Sequence, residues 1–252
     1  MTITANESLG LKALLDKVHL PGSRNALKIL IYGMAGVGKT TFASTAPNPL
    51  FIDVERGTTS LVGKNIPVID YKSFNQVDYI ADMARKGELE MYDTLVFDSI
   101  SEMQSRILES HLMTTGNPYA PQWQDYSFTQ NQIRSFLFKL TEIPQNVIVT
   151  SSVKEEKDSE TERINLRLDL PPKLSSCVIS TFDVIGYLDL NQQVIPNPND
   201  STKKEVITQR RLILRSPNAK IICKSRIGGD VLIDPIFSDL TDLKESKNNV
   251  SS

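Results

Sequence analysis

The sequence predicts an α/β domain with a mainly parallel β-sheet flanked by helices and a C-terminal antiparallel extension. Three observations carry this. Apolar strand-like runs alternate with helical ones from Leu27 to Ser152, the pattern that builds parallel sheets covered on both faces. A glycine-rich turn joins the first strand to the first helix of that alternation. After Lys154 the texture changes, and "DVIGYLDL", "EVITQRRLILRS" and "KIICKSRI" follow one another as strands.

Each element has its own signal. "ESLGLKALLDKV" places Leu11, Leu14, Leu15 and Val18 at helical spacing before "PGSRN" breaks the chain. This predicts an N-terminal helical segment over 1–26, a candidate oligomerisation element. "LKILIY" is the first core strand, then come the turn, a short helix and "PLFIDV". "IPVIDY" and "TLVFDS" are further strands, with helices from Phe74 to Arg85 and from Ile100 to Leu112. The prolines and glycine of "MTTGNPYAPQWQ" predict a loop over Met113–Gln124, before a helix over Tyr126–Thr141 and the buried strand "NVIVTS". The core thus spans 27–243, and the polar tail 244–252 is expected to be disordered.

With 252 residues, two fifths of them apolar, the chain has material for a sizeable core, and a formal charge of −2 announces no nucleic-acid or membrane partner. Charge is uneven, however: Ser201–Arg226 holds Lys203, Lys204, Arg210, Arg211, Arg215, Lys220, Lys224 and Arg226 against Glu205 alone. Cys177 and Cys223 match no metal or disulfide spacing and read as buried free thiols of a reducing compartment. With no signal-like N-terminus and no stretch of membrane-span length, a soluble cytoplasmic location is expected. His19 and His111 read as surface or helix-end residues.

"GMAGVGKTT", Gly33 to Thr41, satisfies G-x-x-x-x-G-K-[ST] between an apolar strand and a helical segment. Gly33, Gly36 and Gly38 let the backbone curl so that N–H groups of Met34, Ala35, Val37 and their neighbours turn toward phosphate oxygens. The helix N-terminus adds partial positive charge. Lys39 is expected on the β- and γ-phosphates of ATP, Thr40 on Mg²⁺, and Thr41 completes the loop. Asp98, closing "TLVFD", is the candidate carboxylate that holds Mg²⁺. "FIDVERG" ends in two carboxylates, Asp53 and Glu55, which strand alternation alone does not explain. One reads as structural. Glu55 reads either as a solvated strand end or, one water from the γ-phosphate, as the group that orients the attacking water.

"GKTT", "FIDVE" and "LVFDS", in that order and spacing, resemble the RecA-like P-loop ATPase core, and most of all the core-only bacteriophage single-strand annealing proteins and recombinases. The resemblance implies that Glu55 activates water and that Asp98 and Ser99 form the metal-side pair. It puts the family's first DNA loop at Met113–Gln124, where Tyr119 and Trp123 either stack on bases or pack the loop against the body. The γ-phosphate-sensing strand falls on "NVIVTSS", where Ser151 and Ser152 replace a longer glutamine, and the second DNA loop falls after Lys154. "KSR" implies Lys224 and Arg226 reaching the ATP of a neighbouring subunit in a ring or filament. The implied function is an ATP- and Mg²⁺-dependent, single-stranded-DNA-binding recombinase or annealing protein of a phage, acting in the host cytoplasm. Lys154, Arg210 and Arg211 are implied DNA contacts, a single-strand-binding protein is a further implied partner, and no membrane is involved. A DNA motor or helicase, and a nucleotide-gated binding module with little hydrolysis, are the alternatives.

Overall fold

A computed structural model describes residues 26–116, 119–157, 162, 164–197, 200–216 and 220–250. The expected helical segment before Ala26 lies outside them. The first five strands are β1 Lys28–Gly33, β2 Pro49–Asp53, β3 Val68–Asp70, β4 Thr94–Asp98 and β5 Asn146–Lys157. They are followed by β6 Ile164–Leu168, β7 Val184–Asn197, β8 Asp200–Ile213, β9 Lys224–Ser225 and β10 Val231–Ile233. Helices are α1 Lys39–Ala43, α2 Phe74–Arg85, α3 Ile100–Thr115, α4 Trp123–Glu142, α5 Pro172–Thr181 and α6 Phe237–Val250.

The sheet runs β10-β8-β7-β1-β5-β4-β2-β3, with β6 on β5 and β9 on β7. From β7 through β3 all neighbours are parallel, and β8, β10, β6 and β9 pair antiparallel. β5 therefore separates the strand before the glycine turn from the strand that ends in Asp98. This is the RecA-like P-loop NTPase arrangement with an antiparallel extension.

Alternate side chains of the central strands enter two separate cores. Leu30, Tyr32, Leu95 and Phe97 pack with Ile133 and Phe136 of α4 and with α2, α3 and α5. Ile29, Ile31, Phe51 and Val96 pack on the opposite face with Phe42 of α1 and Phe237 and Leu240 of α6. Helices on both faces are why these strands read as unbroken apolar runs.

Several boundaries differ from the sequence reading. α3 continues to Thr115 and stops where Gly116 takes a left-handed φ of 75°. α4 begins at Trp123, because Gln122 and Asp125 cap it reciprocally, the Gln122 N–H donating to Asp125 Oδ2 at 2.7 Å. The expected loop thus shrinks at both ends. "KEEK" belongs to β5 and pairs with β6, whereas only two residues of "KIICKSRI" form a strand, β9. The tail expected to be disordered from Lys244 is helical through Val250, since Phe237 and Leu240 anchor α6 in the core. Among the described residues no helix is long and apolar enough to cross a membrane.

Candidate nucleotide site

β1, β2, β4 and β5 point their C-terminal ends to one edge of the sheet, where ligands of open α/β sheets bind. The loop from Gly33 to Thr41 starts there. β7 passes so close that a Cβ on Gly33 would lie 2.2 Å from the Leu188 carbonyl oxygen, so only glycine fits. Met34, Ala35 and Gly36 form the exposed crest, while Val37 is anchored in the core. Gly38 takes φ 99° before α1, the short helix expected there, at five residues. Lys39 Nζ donates to the carbonyls of Gly33 and Met34, each at 3.0 Å, so the loop's own oxygens hold the ammonium at its mouth. Burial lowers the Lys39 pKa from its ordinary value, opposed by the Glu55 and Asp98 carboxylates.

Thr40 Oγ1 donates to Asp98 Oδ2 at 2.7 Å, and the Thr150 hydroxyl on β5 donates to Asp98 Oδ1. Burial pushes the Asp98 carboxyl above the usual carboxylate range against those two hydrogen bonds, and the charges of Glu55 and Asp53 push the same way. A hydroxyl and a carboxylate in contact at the phosphate loop form the donor set that suits Mg²⁺, a hard cation that favours oxygen. Thr40 and Asp98 would hold it. When bound, the ion neutralises phosphate charge.

The two carboxylates of "FIDVERG" separate cleanly. Asp53 is buried and accepts the Gly57 N–H at 3.2 Å, fixing the turn after β2. It is the structural one. Glu55 lies beyond the strand, where the Val54 and Glu55 N–H groups both reach the Asp98 carbonyl, at 2.7 and 3.2 Å. Strand alternation therefore does not apply to it. The Ser99 hydroxyl donates to Glu55 Oε1 and lies 3.1 Å from the Ser101 hydroxyl. Ser101 Oγ in turn accepts the Ser152 N–H at 3.0 Å. Glu55 is thus tied through Ser99 and Ser101 to β5. Ser151 Oγ turns to the neighbouring Ser152 carbonyl, so the β5 side chain that reaches the metal carboxylate is Thr150. The sequence reading missed Thr150 and Ser101; the polar run "TSS" at a buried strand end was the available signal.

Among its described residues, much of the basic block is held by local partners. Arg211 pairs bidentately with Asp189, at 3.0 and 2.7 Å. Arg226 pairs with Asp183 at 2.9 Å and Arg215 with Asp230 at 3.3 Å. Lys224 Nζ donates to the carbonyls of Ile179 and Phe182 at the end of α5, and burial, then Arg226, lowers its pKa. β9 pairs with the N-terminal end of β7, so Lys224 and Arg226 lie at the sheet edge opposite their own phosphate loop. Lys154 pairs with Glu156 at 2.8 Å. Arg210 lies against Gly38, with Cδ 3.1 Å from the position a Cβ would take there. The rings expected in the first DNA loop are exposed, Tyr119 at 96% and Trp123 at 75%, so neither packs that segment on the body. His111 is half-buried, 3.1 Å from Asp125 and stacked on Phe128 at 4.1 Å.

A phosphate loop, a buried carboxylate bonded to its threonine, and β5 between the two strands define a P-loop ATPase core. The family model for an AAA domain matches residues 25–227, and the chain belongs to that family. It is 23% identical over 171 residues to the SPbeta prophage-derived uncharacterized protein YorG of Bacillus subtilis (strain 168), covering 65% of this chain and 50% of that protein. The chain thus spans about half the length of this curated relative. Among solved structures, the chain matches the flagellar accessory protein FlaH from Methanocaldococcus jannaschii at 11% identity and TM-score 0.35, covering 83% of this chain and 89% of that one. The strand order β7-β1-β5-β4-β2-β3 defines the fold.

Proposed function

We propose that this chain hydrolyses ATP with Mg²⁺ and does so in the service of single-stranded DNA, as a phage recombinase or annealing protein. The observation that carries the hydrolytic part is Glu55, held by Ser99 one residue beyond the Asp98 that bonds Thr40. In this reading Lys39 binds the β- and γ-phosphates, and Thr40 and Asp98 hold the metal. Glu55 orients water in line with the γ-phosphate. Lys224 and Arg226 reach a neighbouring subunit's nucleotide in a ring or filament, on leaving their local carbonyl and Asp183 partners.

The DNA partner is supported by the exposed rings of Tyr119 and Trp123 and by a prophage-derived relative. It draws less on the basic block, because Arg211, Arg215 and Arg226 have aspartate partners. Stacking then carries more of the affinity than phosphate contacts do, and salt dependence is shallower than a basic groove gives. A second reading, a nucleotide-gated binding module with little turnover, is favoured by the Ser99 contact itself, which occupies the Glu55 carboxylate.

Steady-state ATP hydrolysis at low salt, with and without a long single-stranded oligonucleotide, tests both. Lys39→Ala is the blank. Stimulation by single strands and not by duplex supports the recombinase reading. Turnover indifferent to DNA removes the DNA partner, and turnover at the Lys39→Ala level with tight ATP binding selects the gated module.

A further inference from the structure

Arg210 sits in the basic block but does not share its fate. Neighbouring residues of a strand point to opposite faces. Arg211 turns to Asp189 across the hairpin, so Arg210 turns the other way, back over the phosphate loop. A Cβ on Gly38 would lie 3.1 Å from Arg210 Cδ, 3.3 Å from Arg210 Nη1 and 3.9 Å from Thr41 Cβ. The backbone of Arg210 is pinned by Asp234: Arg210 N–H donates to Asp234 Oδ1 at 3.0 Å, and Asp234 N–H donates to the Arg210 carbonyl at 2.7 Å. Its side chain is held far more loosely, with Nε 4.0 Å from Asp234 Oδ1, beyond hydrogen-bond distance. A fixed backbone thus carries a guanidinium with donors to spare to the rim of a phosphate site.

We propose that Arg210 binds the nucleotide of its own protomer, its guanidinium closing the outer side of the phosphate loop on the α- and β-phosphate end. The assignment rests on the nucleotide-binding reading above. Guanidinium suits the role because its planar fork matches two phosphate oxygens at once. The end follows from where the other groups lie. Thr40, Asp98 and Glu55 mark the metal and terminal-phosphate side of the loop. Arg210 lies at Gly38 and Thr41 instead. A contact there is made equally with ATP and ADP, so it contributes to binding and not to discrimination between them. The family resemblance implies Arg210 as a DNA contact; its fold neighbours put it beside the phosphate loop.

Calorimetric titration of Mg-ATP and Mg-ADP into wild type, Arg210→Gln, Arg210→Lys and Lys39→Ala, with kcat and KM alongside, tests this. Arg210→Gln should weaken both nucleotides by about tenfold, the scale of a partly exposed charge-assisted contact. KM should rise while kcat stays within about twofold, and Arg210→Lys should fall between. Wild-type affinity for both nucleotides in Arg210→Gln, with binding lost in Lys39→Ala, overturns the role of Arg210 and leaves the nucleotide site standing. A loss confined to ATP overturns the assigned end. Should Arg210→Gln fail to fold, Arg210→Lys with unchanged affinity and unchanged KM overturns the bidentate contact. Wild type that binds neither nucleotide removes the nucleotide reading itself.

Discussion

Glu55→Gln separates binding from chemistry. The amide keeps the size of the side chain and an oxygen for the Ser99 hydroxyl, so the tie from Ser99 through Ser101 to β5 survives. Glu55 is exposed, so thermal stability should stay within about 1 kcal/mol of wild type. Two effects remain. Losing a positioned base costs about 10²- to 10⁴-fold in turnover, or roughly 3 to 5 kcal/mol of transition-state stabilisation. Losing the charge acts on binding with the opposite sign. The Glu55 carboxylate raises the pKa of both Lys39 and Asp98, so its field reaches the site of the polyphosphate and repels it. Glu55→Gln should therefore bind ATP as tightly as wild type or more tightly while hydrolysing it at least a hundredfold more slowly. Single-turnover hydrolysis with labelled ATP, beside equilibrium binding, reads both. Turnover within about threefold of wild type would refute the assignment of Glu55 and return it to a solvated strand end.

Other outcomes follow from single contacts. Ser101→Ala leaves the Ser152 N–H without its acceptor, which costs about 1–3 kcal/mol and should lower Tm by several degrees while slowing hydrolysis; an unchanged Tm would show that the hydroxyl chain carries no strain-bearing contact. Trp123→Ala, at an exposed position on the first turn of α4, should leave stability unaltered and weaken single-stranded DNA binding by about 1–3 kcal/mol if the ring stacks on a base; equal affinity would exclude that ring. Burial pushes the Cys223 thiol from 9.0 up to about 11, which leaves about a hundredfold less thiolate at pH 8. Iodoacetamide should accordingly label Cys223 far more slowly in native than in unfolded protein, and equal rates by peptide mass spectrometry would contradict its burial.

The phosphate loop, the parallel sheet and the acidic strand end were legible because each is local. Backbone curl needs glycine at fixed offsets, and buried strands need unbroken apolar runs. What stayed hidden depends on neighbours distant in sequence. The basic block looked unbalanced because Glu205 is its one internal acid, yet counter-charges for Arg211, Arg226 and Arg215 stand elsewhere: Asp189 on β7, Asp183 before it, and Asp230 before β10. Strand pairing brings them together. Thr150 escaped notice because nothing in "NVIVTSS" says which hydroxyl faces β4, and β5 is placed beside β4 only by the sheet order. The early start of α4 was masked by the prolines before it, which suggested a longer loop than the cap at Gln122 allows. α6 was misjudged from its polar end, although Phe237 and Leu240 at its start decide that it packs.

The placement of charge makes a sharper demand on the nucleotide site than its motif does. Asp53 and Asp98 are directly paired across β2 and β4, and Glu55 follows two residues after Asp53. Both Asp53 and Glu55 raise the Asp98 pKa. At a separation of about 6 Å and an effective dielectric of about 20, one carboxylate repels one phosphate charge by about 3 kcal/mol. Lys39 and Arg210 do not offset three carboxylates and a polyphosphate together, so a divalent cation must invert the local sign. ATP affinity should fall at least tenfold when EDTA removes Mg²⁺. Asp98→Asn makes the argument testable by its sign: it should weaken ATP in Mg²⁺, where a metal ligand is lost, and strengthen it in EDTA, where a repulsive charge is lost. The amide oxygen can still accept one of the Thr40 and Thr150 hydroxyls, and its NH2 can donate to the other once that hydroxyl rotates, so both contacts survive with one direction reversed. Equal weakening in both buffers would mean that Asp98 serves the loop through those hydroxyls and not through a metal.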